Sequence, residues 1–140
     1  MKTLVIFALA MCFVPLVQEG PVQNEDARLK TIKEEIEKTT PEGKEIIERV
    51  KQMLPEVHGK LSTLRLEEAV EKYTKEKNWT PAGWAAFKER SLAGWQIRLF
   101  FQMDTREYRT AEWRYDPKTI KLYPVDKVNA AQFWSGPTPR

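Results

Sequence analysis

Cysteine and histidine are nearly absent from this chain, which holds one of each, Cys12 and His58. Cys12 lies in the apolar N-terminal stretch, so a chain that loses that stretch has no disulfide, no thiolate nucleophile and no cysteine metal site. Its stability then rests on packing. His58 has no second histidine at metal-ligand spacing and reads as a solvated loop residue. The six glycines include no G-x-G-x-x-G spacing, which excludes the usual phosphate-cradling loop. Ser62, Ser91 and Ser135 fall in no nucleophile-elbow pattern. Nothing in the sequence calls for a cofactor or a metal. The Gly-aromatic-Gly core of an RNA-recognition strand is also missing, so nucleic acid is not an expected partner.

A long apolar run is missing too. "MKTLVIFALAMCFVPLVQEG" carries one early basic residue, an apolar stretch from Leu4 to Val17, and then polar sequence. That is the shape of a secretory signal peptide, and it falls short of the about 20 residues a bilayer span needs. Residues 1–20 are expected to be a leader or, if uncleaved, an N-terminal anchor holding the domain at a membrane. Met11 before Cys12, and the apolar residues after it, do not suit a lipidation site. The expected location is secreted or periplasmic.

What is present is one domain's worth of ordinary globular sequence, 41% apolar and 31% charged. The charge is uneven. Residues 21–79 hold 12 Lys or Arg against 13 Asp or Glu, whereas residues 80–140 hold 10 against 6. The positive excess therefore belongs to the second half.

The first half reads as helical. In "EDARLKTIKEEIEKTT", Leu29, Ile32 and Ile36 share one helical face. Thr39 with Glu42 suits a capping box and Pro41 a first turn, opening a second helix with Ile46, Ile47, Val50, Met53 and Leu54 inward. Residues 25–54 are thus expected as a helical hairpin. "EVHGKLST" is a connector, and "LRLEEAVEKYTKEKN" sets Leu66, Ala69, Val70 and Tyr73 on one face of a third helix over 64–77 that Asn78 ends.

Residues 84–125 read as sheet. The segment 84–90 fits either a helix or a strand, with a strand favoured. In "WQIRLFFQM" the odd-numbered residues from Trp95 to Met103 are apolar, and in "YRTAEWRY" they match Ala111, Trp113 and Tyr115. "YDPKT" is a turn, after which Ile120 and Leu122 point inward. Pairing Trp95 with Tyr115 sets Arg98 against Glu112, whereas a two-residue slip would oppose Arg98 to Arg114, so the first register is expected. Across the second turn, Trp113 is expected opposite Leu122 and Arg114 opposite Lys121. Ala130, Ala131, Phe133 and Trp134 then dock a terminal segment on the sheet.

This register leaves Arg98, Phe100, Tyr108, Arg114, Lys121 and Tyr123 on the outer face, an aromatic-edged basic surface suited to an acidic partner. Exposed Lys and Arg also serve simply to keep a sheet soluble and unpaired. The carboxylates Asp104, Asp116 and Asp126 fall at turns, where Asp is expected for backbone reasons.

The order of the helix "LEEAVEKYTKEKN", the strand "GWQIRLFFQM" and the stretch "YRTAEWRYDPKTIKLYPV" resembles exported PepSY-type domains over residues 64–125. Asp116, Thr119 and Val125 match the cadence of that family's closing strand; Pro117 and Lys121 depart from it. The resemblance implies a cell-envelope binding or inhibitory module without chemistry of its own. It carries over no catalytic residue.

The expectation is therefore an exported α+β domain over 21–140, a helical hairpin and a third helix on one face of an antiparallel three- to four-stranded meander. Its expected role is to bind a protein or acidic ligand in the envelope, and to meet membrane only if the leader stays. The alternatives are a small exported hydrolase, whose carboxylates or His58 meet in space, and a membrane-tethered adaptor.

Overall fold

The computed structural model describes residues 26–90, 93–126 and 128–136. The leader, Cys12, the tether before residue 25, Ser91 and the last four residues lie outside them. Among the described residues no helix is long and apolar enough to cross a membrane.

The chain is α+β, with helices around a four-stranded antiparallel meander. A first helix, α1, covers residues 26–37. The second, α2, runs Pro41–Lys51, and the third, α3, Leu66–Lys77. Between them β1 (Glu56–Val57) and β2 (Lys60–Leu61) form a small hairpin. The main sheet orders β3 (Thr80–Lys88), β4 (Trp95–Gln102), β5 (Tyr108–Asp116) and β6 (Lys121–Pro124) as consecutive neighbours, and a 3-10 turn follows at Ala130–Phe133.

Local chemistry explains the boundaries. Pro41 at the first turn of α2 places the cap on Thr40, whose Oγ1 accepts from the Gly43 N–H at 3.0 Å. The cap is thus one residue later than the capping box at Thr39 requires. Thr39 is buried instead and its Oγ1 accepts from the Ala86 N–H, tying α2 to strand β3. Asn78 adopts the left-handed conformation that ends α3. The connector "EVHGKLST" is a hairpin, because His58 and Gly59 both take positive φ, the type I′ pattern that joins two strands through two residues.

The first strand pairing follows the expected register, with Trp95 opposite Tyr115 and Arg98 opposite Glu112. The second does not. Tyr115, not Trp113, opposes Leu122, and Arg114 faces Tyr123 instead of Lys121, which lies opposite Asp116. The reason is Pro117. A two-residue hairpin turn of the favoured kind needs positive φ at both central positions, which proline cannot adopt. The chain uses a four-residue loop, with Asp116 Oδ1 accepting from the Lys118 N–H and Ile120 in the left-handed region. Ile120 is consequently 69% exposed, not inward. Leu54, expected inward, is also exposed, beyond the end of α2.

One face of the sheet builds the main core. Ile97, Leu99, Ala111, Trp113, Tyr115 and Leu122 pack with Ile46, Ile47 and Val50 of α2 and Leu66, Ala69 and Val70 of α3. Trp79 stacks on Phe101 with ring centres 5.0 Å apart, and Phe133 meets Phe101 edge-on at 5.6 Å.

The opposite face is not open. Ile32 of α1 packs with Ala85 and Phe100 in a second cluster that Ile36, Phe87 and Tyr108 border. The three helices therefore do not share one side: α1 crosses to the other face while α2 and α3 stay together. A bulge between Pro81 and Gly83 assists, since Gly83 takes φ +150° and its missing Cβ leaves room for Ile36.

Candidate functional site

The six residues expected on a basic aromatic face divide among three places. Arg98 lies beneath α1, where its Nη1 donates to Glu35 Oε1 at 2.7 Å and its Nε to Glu112 Oε1 at 3.3 Å. Its guanidinium also sits 5.4 Å from the centre of the Phe87 ring. Phe100 is buried under the same helix, and Tyr108 borders that cluster. Arg114 turns to Glu89, with Nε 3.1 Å from Oε1, a close approach of charges over Gly94 without a straight hydrogen bond. Three of the basic-face positions are thus internal to the fold. They bind α1 to the sheet and brace the β3–β4 connection.

Lys121 and Tyr123 are elsewhere. They line a cleft of about 860 Å³ between the β1–β2 hairpin, β6 and the segment after it. Val57, Pro124, Ala131 and Trp134 complete its apolar wall. Its polar groups are Glu56, His58, Asp126 and Lys121. Lys121 Nζ stands 3.6 Å from Glu56 Oε2 and so links the sheet edge to the hairpin.

The carboxylates near the cleft are mostly engaged in holding backbone. Asp126 accepts from the N–H groups of Val128, Asn129 and Ala130, which fixes the entry to the 3-10 turn. Asp116 sits in the neighbouring turn, and the hydrogen bond from the Lys118 N–H holds its carboxyl below the usual aspartate range, aided by Thr119 and the nearby Arg114 charge. His58 stands at the tip of the hairpin, exposed and facing the cleft as one of its lining residues. Among the described residues no group of three or more His, Cys, Asp or Glu side chains is placed to hold a metal ion.

The cleft has an apolar margin. Among the described residues the exposed large aliphatic side chains are Leu54, Leu61, Ile120, Val125 and Val128. All five belong to residues 54–61 or 120–128, the two segments that wall or flank the cleft. Scattered exposed aliphatics are normal, whereas here they are confined to these two segments.

Periodicity could not reveal this site, because it joins a hairpin, a strand edge and a terminal turn far apart in sequence. The available signal was His58-Gly59, a pair that tolerates positive φ and so a tight hairpin. No family model, curated protein or solved structure matches the chain.

Proposed function

We propose that this chain is an exported binding module, without catalytic activity, whose contact surface is the cleft between the β1–β2 hairpin and β6. The observation that carries this reading is the lining: Tyr123, Trp134 and Pro124 beside Val57 and Ala131, with a few charged groups at the rim. Concave, mostly apolar sites with a small number of polar groups are the usual form of ligand pockets, and about 300–1,000 Å³ is their usual size. The leader-like sequence of residues 1–20 supports export to the envelope or beyond.

The test is photo-crosslinking in the native compartment. A photoreactive phenylalanine analogue replacing Tyr123 is expected to capture a partner, whereas the same group at Glu76, exposed on α3, is expected to capture none. Equal adducts from both positions, or none from Tyr123, would reject the cleft as the contact surface.

One observation favours a second reading, a small exported hydrolase. His58 and the carboxylates Glu56 and Asp126 line the same cleft. Under that reading His58→Ala abolishes turnover of a chromogenic ester. Turnover unchanged by the substitution, or absent from the wild-type chain, removes it.

A further inference from the structure

The cleft's margin indicates what kind of occupant it takes, on the reading that the cleft is a binding surface. Two features of the margin matter. The first is the set of exposed aliphatic residues in the segments that wall or flank the cleft, of which Leu61, Ile120, Val125 and Val128 are each at least half exposed. An occupant must be wider than the cleft to cover them, with apolar anchors of its own.

The second is the state of the charges. Each nearby carboxylate already has a partner: Glu56 has Lys121, Asp116 the Lys118 N–H, and Asp126 three backbone N–H groups. Lys60, on the hairpin, and the side chain of Lys118, on the β5–β6 turn, are exposed with no ion-pair partner among the described residues. Unpaired cations around an apolar surface favour an occupant that brings anionic groups to the rim.

We infer that the cleft docks an acidic, apolar-anchored segment of a partner polypeptide, its aliphatic or aromatic side chains entering beside Tyr123 and Trp134 and its carboxylates meeting Lys60 and Lys118. A polypeptide fits better than an anionic membrane, because the apolar wall of Val57, Tyr123, Pro124 and Trp134 is recessed in a cleft that side chains can enter and a flat layer of headgroups cannot. Tyr and Trp at the centre of a recessed surface are also the residue types that dominate protein contacts. The hairpin already packs against β6 in the free chain, with Lys121 paired to Glu56 across the two walls, so the cleft is formed before the segment arrives, which lowers the ordering cost of binding.

The test uses the chain as it exists after export, labelled for amide NMR, with three short blocked peptides. Each carries two leucines, and the remaining positions are mainly glutamate, glutamine or lysine. The glutamate peptide is expected to shift amides in 56–61 and 120–134, binding at least about tenfold more tightly than the lysine peptide and losing that preference at high salt. Lys60→Glu together with Lys118→Glu is expected to weaken it about fivefold to tenfold, since each exposed pair contributes modestly. Ile120→Ser with Val128→Ser, both at exposed positions, is expected to weaken all three peptides alike.

Equal binding of the three peptides at the same amides would overturn the acidic class while leaving the cleft as a binding surface. No shift with any peptide would overturn both. Shifts of these amides on phosphatidylcholine vesicles containing phosphatidylglycerol, with none from peptide, would replace the polypeptide by a lipid surface. Shifts that depend on protein concentration without peptide would replace it by a second copy of the chain.

Discussion

Thr39 and Thr40 are neighbours of the same type with different tasks, and the difference follows from Pro41. Proline at the first turn fixes the cap at Thr40 and turns Thr39 inward, where its hydroxyl receives the Ala86 N–H. Thr39→Val should leave that buried N–H unpaired at a cost of about 1–3 kcal/mol, read from the urea midpoint. Thr40→Val should instead cost about 1 kcal/mol through lost capping. Asp116 is a second case. Its carboxyl is depressed in the folded chain, so its contribution is fully present above the unfolded aspartate value of about 3.9 and is lost as pH falls through the lower folded value. Asp116→Asn should remove that part of the acid dependence, while its own NMR titration in the wild type should fall below an ordinary aspartate. A titration at the ordinary position would show that the turn does not hold the charge.

At the scale of elements, the helices and most strands were legible in the sequence, and so was one register. Opposing Arg98 to Glu112 instead of to Arg114 was enough to align β4 with β5, because charge and face parity agreed. The register of β5 with β6 was not legible from parity alone, since Pro117 lengthens the turn and moves Ile120 out of the core. The side of the sheet taken by α1 was not legible either. The stripe of Leu29, Ile32 and Ile36 shows that one face of this helix is apolar, but helical spacing carries no information about which face of a sheet it covers. Two cues become meaningful only with the fold in view: Phe100, an aromatic on the polar side of β4, and Gly83, which admits Ile36. Ile32→Ala should cost about 2–3 kcal/mol, near the lower end for a buried aliphatic because α1 sits at the periphery. It should also raise amide exchange across residues 26–37 while leaving β4 and β5 protected. Uniform loss of protection would mean that α1 is integral to the central core.

For the molecule as a whole, covering both faces of the sheet changes where a partner can act. Arg98 and Phe100 were expected on an open basic surface, yet the same residues seal α1 to the sheet through Glu35 and the Ile32 cluster. Lys121 and Tyr123 keep an open position because β6 is the last strand and faces the hairpin across the cleft. The candidate site was therefore one-third legible: two of six residues line the cleft, Arg98, Phe100 and Tyr108 are covered or bordered by a helix whose placement the sequence does not encode locally, and Arg114 is engaged by Glu89 of the β3–β4 connection. The most direct test of this account is broadening by a neutral paramagnetic cosolute on methyl-labelled and aromatic-labelled protein. The account predicts strong broadening of Ile120, Val125 and Val128 methyls around the cleft, with Ile32 methyls and the Phe100 ring spared. Broadening of Ile32 and Phe100 comparable to that of Ile120 would mean that the basic sheet face is open in solution, and would contradict the assignment of the cleft as the surface left for a partner.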